Sequence, residues 1–91
     1  MTAQEYVVTV VAACGAWDEE RHKELLDAFA HLRPGCLAAG TTLMLRFCVP
    51  ARDDFSACAV IKRRLRIHAA VREWRSFEVR GCTAAPLERT P

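Results

Sequence analysis

The 91-residue sequence lacks the patterns that most enzyme and metal-binding families need. No phosphate-binding glycine loop, Rossmann fingerprint, pair of catalytic carboxylates or nucleophile triad can be recognised in it. The three histidines and five cysteines include no CxxC pair and no zinc-ligand spacing. The sequence therefore predicts no metal site and no cofactor, and it favours a protein that is not an enzyme.

Long apolar runs and a strong net charge are also missing. No run approaches the roughly 20 apolar residues that cross a bilayer, and residues 1–5 lack the basic start of a secretory signal. An odd number of cysteines, five, argues against a secreted disulfide framework. These absences predict a cytoplasmic protein with reduced cysteines and no membrane partner. The net charge of +2 is too small to indicate nucleic-acid binding by itself.

Residues 5–13 (EYVVTVVAA) form the strongest strand signal, because β-branched side chains pack well on a pleated surface. Their apolar character on both faces predicts a central strand. Residues 41–49 alternate apolar and other side chains with period two, which predicts a second long strand. Residues 72–80 predict the last strand. Residues 36–40 predict a short edge strand, but their weak pattern also allows a sheet of only three strands.

Helical spacing of apolar residues separates these strands twice. The first predicted helix covers residues 18–32 and ends before an Arg-Pro-Gly turn. The second begins at Asp53 or Asp54, which are good helix caps, and runs to about His68 with Phe55 on its core side.

The resulting order β-α-β-β-α-β resembles the ferredoxin-like α/β plait. That resemblance implies an α+β fold with a four-stranded antiparallel sheet in strand order 4-1-3-2 and both helices on one face. We expect a single domain over residues 1–82 and a flexible C-terminal tail over residues 83–91.

Such a plait leaves one sheet face without helices, and this face is the predicted ligand or partner site. Alternation places on it Val7, Thr9, Val11, Met44, Arg46, Trp74 and Arg80. A half-apolar face is rarely left to water. We therefore predict a binding or accessory domain that forms a homodimer through this face, or meets another protein there, with Trp74 as the central contact.

A basic run offers a different interpretation. Lys62, Arg63, Arg64 and Arg66 lie on the second predicted helix and could contact phosphates. The plait is also the fold of the RNA recognition motif, but residues 41–49 lack the aromatic pattern with which that motif stacks bases. The sequence thus disfavours nucleic-acid binding, which remains an alternative function through the basic patch on this helix.

Residues 33–37 (RPGCL) resemble the helix-to-strand junction of the antibiotic-biosynthesis monooxygenase superfamily. Members of that superfamily pair plait-like domains into dimeric barrels. The resemblance implies, as an alternative, a small cofactor-independent enzyme acting on an aromatic or polyketide-like substrate. That enzyme would need a closed pocket between sheet and helices that holds His68 or Cys14.

Overall fold

The computed structural model describes residues 4–87. Along the chain its elements are β1 (Gln4–Ala13), α1 (Glu19–Ala28), a 3-10 turn (Ala30–Leu32), β2 (Gly35–Ala39), β3 (Thr42–Ala51), α2 (Asp54–Val71) and β4 (Glu78–Pro86). The predicted element order is therefore present, and the open question about residues 36–40 is answered by a five-residue strand. Gly40, at φ +62°, supplies the left-handed residue that the two-residue turn between β2 and β3 requires.

The four strands form one antiparallel sheet in the order β2-β3-β1-β4. Read from the other edge, this is the predicted order 4-1-3-2, and it is compatible with a ferredoxin-like topology. β1 pairs with β3 over its whole length, from Gln4 opposite Ala51 to Ala13 opposite Thr42. The strand with the strongest β-forming sequence thus has neighbours on both edges.

Period-two alternation buries one face of this sheet. β1 contributes Tyr6, Val8, Val10 and Ala12 to the core, and β3 contributes Leu43, Leu45, Phe47 and Val49. Both helices cover that same face through Leu25 of α1 and Ala57, Ile61, Leu65 and Ala69 of α2. The opposite face of the described sheet carries no helix.

α2 begins where the sequence predicts, because the Asp53 carboxylate accepts a hydrogen bond of 2.7 Å from the backbone N–H of Ser56. Phe55 was predicted to face the core, and this prediction was wrong, because its side chain is 80% exposed. At about 100° per residue, Phe55 lies well around the helix from the buried stripe that runs through Ile61 and Leu65.

The last strand lies later in the chain than residues 72–80. α2 continues to Val71, and the chain then turns through Glu73 and Ser76, which have φ values of +56° and +66°. Left-handed residues interrupt an extended strand. β4 consequently starts at Glu78 rather than at residue 72.

The predicted boundary between domain and tail was also wrong. Thr83 pairs with Thr9 and Ala85 pairs with Val7, so the described chain beyond residue 82 belongs to the sheet. Pro86 is compatible with this strand because β4 is an edge strand, where a missing N–H need not break a ladder. The rest of the predicted tail, residues 88–91, lies outside the described residues.

Candidate functional site: the open face of the sheet

Alternate residues of all four strands build the helix-free face, which we call the open face. Directly opposed residues of neighbouring strands share a face of the sheet. The three central rows of this pairing are Ala85–Val7–Cys48, Thr83–Thr9–Arg46–Gly35 and Gly81–Val11–Met44–Leu37.

Five of the predicted site residues come together on this face. Val7, Thr9 and Val11 project from β1, and Met44 and Arg46 project from β3 beside them. The structure therefore places these residues as the alternation predicts. Their role in binding remains a prediction.

The third row is the most apolar part of the open face. The exposed fractions are 37% for Val11, 49% for Met44 and 74% for Leu37. Leu37 is missing from the predicted site because its segment is too short to show a period. The glycine at position 40 could have indicated that Leu37 belongs to the site, because a tight hairpin there sets Leu37 opposite Met44.

A shallow groove of about 440 Å³ crosses the open face near the β2 edge. We call it the β2–β3 groove, and its lining residues are Val7, Thr9, Gly35, Cys36, Leu37, Met44, Leu45 and Arg46. Gly35 keeps it open beside Arg46, because a glycine places no side chain on the row that the two residues share. An apolar groove with one cationic side chain results.

Arg46 is the one cation in the lining of this groove. Within residues 4–87, the ion pairs are Arg72 with Glu24 and Arg80 with Glu78, so Arg46 has no carboxylate within 4.0 Å. Its neighbours across the strands are Thr9 and Gly35. A guanidinium among uncharged side chains can form a charge-assisted bond with an incoming anion.

Arg80 stands apart from the other predicted site residues. Gly81 and Val79 pair with successive residues of β1, so Arg80 is the extra residue of a β-bulge. Its guanidinium lies 3.7 Å from the Glu78 carboxylate, and both side chains are more than 60% exposed. An exposed pair of this kind contributes little, and Arg80 is not part of the groove.

Trp74 does not lie on the open face, so its predicted position there was wrong. Its side chain is only 6% exposed and belongs to the hydrophobic core. The backbone N–H of Trp74 donates a hydrogen bond of 2.8 Å to the backbone carbonyl of Ala69, which folds the chain back at the end of α2. The ring then meets Trp17 at 5.2 Å and His68 at 4.7 Å between centroids, both edge to face.

His68 is part of the same aromatic cluster, and its Nε2 atom is buried without a hydrogen-bond partner among the described residues. Burial lowers the pKa of His68 below its usual value near 6.5, and the neighbouring Arg72 lowers the pKa further while Glu24 opposes it. The folded protein therefore holds His68 in its neutral form at neutral pH.

This lowered pKa predicts a pH dependence of stability. The unfolded chain binds a proton at His68 more readily than the folded chain does, so the stabilisation is complete above pH ~6.5 and is lost as the pH falls through the lower folded pKa. We expect the melting temperature to fall more steeply between pH 7 and pH 5 in the wild type than in His68→Gln. Equal slopes in the two proteins would show that His68 does not carry this dependence.

Within residues 4–87, neither Cys14, which is 1% exposed in the core, nor His68 faces a closed pocket between sheet and helices. Between sheet and helices the described chain is filled by fully buried side chains, among them Phe47, Ile61 and Leu65. A groove of about 320 Å³ beside His68 lies on the outer surface of the helices, where Ile67 and Val71 are exposed. The pocket that the enzyme alternative requires is not formed there.

Three of the four residues of the basic run share one side of α2. At about 100° per residue, Lys62, Arg63 and Arg66 fall within about 100° of one another, whereas Arg64 lies on another side of the helix. Arg64 points toward the end of α1, where its Nη1 lies 3.0 Å from the Nε2 of His31. The nucleic-acid alternative therefore stays a prediction, with Lys62, Arg63 and Arg66 as its basic side of α2.

All five cysteines are free thiols, and none forms a disulfide in the structure. Burial and the adjacent Cys58 thiol raise the pKa of Cys82 to about 12, so Cys82 is a poor nucleophile. Within residues 4–87, no three His, Cys, Asp or Glu side chains are grouped closely enough to hold a metal ion. Neither α1 nor α2 combines the length and apolar composition that a bilayer-spanning helix needs.

Comparisons of the chain with protein-family models, with curated proteins and with solved structures found no match.

Proposed function

We propose that this protein is a non-catalytic binding domain of the ferredoxin-like plait class that forms a homodimer through its open face. The observation that carries the proposal is the exposed apolar row of Val11, Met44 and Leu37 on a sheet face that no helix covers. The sheet order and the packing of both helices on the other face support the plait class.

The size of the open face fits a second copy of the same chain. With ~3.3 Å per residue and ~4.8 Å between strands, the sheet offers a flat area of roughly 500 Å². Two such faces bury about 1,000 Å² in total, which is the lower limit for a specific interface. An interface at this lower limit is typical of weak, transient association rather than of a permanent dimer.

The chemistry of the open face also fits a second copy of the same chain. Apolar side chains flank the central row of Arg46 on both sides, whereas Glu5 and Glu78 lie farther out, about four residues from that row toward opposite ends of β1. Charged residues at the rim around a more apolar inner area are typical of interfaces. Two plait sheets can pack face to face at a spacing of about 10 Å with their side chains interdigitated.

A cytoplasmic location is part of the proposal. Its support is the presence of five cysteines without a disulfide, which is typical of proteins in a reducing compartment.

Cys48 provides a direct test of the interface. It lies on the open face opposite Val7, whereas Cys58 lies on α2, which packs against the covered face. We expect alkylation of Cys48 by iodoacetamide, measured by peptide mass spectrometry, to slow as protein concentration rises from about 1 to about 200 μM. Alkylation of Cys58 serves as the internal control and should not change. A Cys48 rate that is independent of concentration would contradict the proposed dimer.

A further inference from the structure

We infer that the β2–β3 groove binds a monoanionic amphiphile, a molecule with one carboxylate and an apolar tail. The inference rests on the proposed function, because the second sheet would cover the groove and exclude water from it. The proposed function names a second copy of the chain as the partner, and this inference adds the chemical class of a ligand that the same face binds.

The charge of the groove determines the head group. Arg46 has no carboxylate partner within residues 4–87, and its row otherwise holds only Thr83, Thr9 and Gly35. A guanidinium presents paired N–H donors that match a carboxylate, and the Thr9 hydroxyl beside it can donate one more hydrogen bond. One cation matches one anionic group, which disfavours polyanions such as nucleic acid.

The shape of the groove determines the tail. Leu37 and Met44 form an apolar wall on one side of Arg46, and Val7 lies on the other side. Gly35 places no side chain beside Arg46 on the row that they share, and an added Cβ there would lie 3.8 Å from the Arg46 Cβ, in ordinary contact. The volume of about 440 Å³ falls in the range of small-ligand sites.

The proposed dimer strengthens the need for an anion. In a face-to-face pair, the second sheet would remove each Arg46, which is unpaired within the described part of the chain, from water, and this carries a desolvation cost. A bound carboxylate at each guanidinium would cancel that charge where the surrounding side chains are apolar.

Sodium octanoate is the probe for this site, used below its micelle concentration with the full-length protein. We expect isothermal calorimetry to show saturable binding in the submillimolar range, and no binding of acetate, which lacks the tail, or octylammonium, which has the opposite charge. Arg46→Gln should weaken octanoate binding at least tenfold and Arg46→Lys less, whereas Arg63→Gln, a change of an exposed arginine on α2, should leave it unchanged.

The solution mass of the same samples separates the two proposals. A dimer that does not bind octanoate, or that binds it equally well as Arg46→Gln, overturns the inference and leaves the dimer standing. A monomer that binds octanoate through Arg46 overturns the proposed dimer and supports the site. A monomer without binding overturns both.

Discussion

Replacement of Trp74 by alanine is expected to lower the free energy of unfolding by about 3–5 kcal/mol, the usual cost of removing a buried tryptophan. The ring is 6% exposed and contacts Trp17, His68 and Phe77 edge to face or tilted. Its loss leaves a cavity that the turn between α2 and β4 has few ways to fill. A small domain has a total stability of only about 5–15 kcal/mol, so this substitution should remove a large share of it.

Urea denaturation followed by far-ultraviolet circular dichroism measures this effect without relying on tryptophan fluorescence. Trp74→Phe is the matched variant, because it keeps an aromatic ring in the cluster and should cost clearly less than alanine. If Trp74→Ala fails to fold, the phenylalanine variant still gives a measurable midpoint. An unchanged midpoint in both variants, together with a lower solution mass, would place Trp74 at the interface after all.

The second large effect is expected on the open face. Met44→Glu should weaken the dimer by about 2 kcal/mol or more, which is at least about thirtyfold in dissociation constant. Met44 is 49% exposed and lies in the centre of the apolar row between Val11 and Leu37. In a symmetric dimer each protomer would take a new carboxylate out of water beside the apolar Val11 and Leu37, which carries a desolvation cost even where Arg46, two residues along β3, pairs with it.

Ile67→Glu is the matched control for this change. Ile67 is 53% exposed on the outer surface of α2, so the same charge is introduced at a similar exposure away from the open face. We expect the control to keep the dissociation constant of the wild type, and both variants to keep its circular dichroism spectrum. If Ile67→Glu dissociated the dimer and Met44→Glu did not, the interface would lie on the helices.

The period-two pattern of β1 and β3 predicted the open face correctly because both strands are long. Ten residues of alternation fix which side chains share a face, and Thr9 and Arg46 were placed together from the sequence alone. A slip of one residue would have exchanged the two faces, but the buried valines and leucines leave one consistent register.

Trp74 shows why the last strand was misplaced. Strand propensity favours Trp and Phe, and it disfavours the Gly, Ala and Pro residues of β4. The start of β4 depends instead on Glu73 and Ser76, whose left-handed backbone interrupts an extended chain. Neither residue is a glycine, so the sequence does not indicate this conformation. The pairing partner of β4 is β1, more than 60 residues earlier in the chain, and a local pattern cannot show such a contact.

Sedimentation equilibrium of the wild type from about 1 to about 200 μM is the most direct test of the dimer. The chain has a mass of 10.2 kDa, so the dimer should weigh about twice that. We expect a mass that rises from the monomer toward the dimer over this range, with the rise shifted to higher concentration in Met44→Glu. A mass that stays at 10.2 kDa throughout would contradict the proposed dimer.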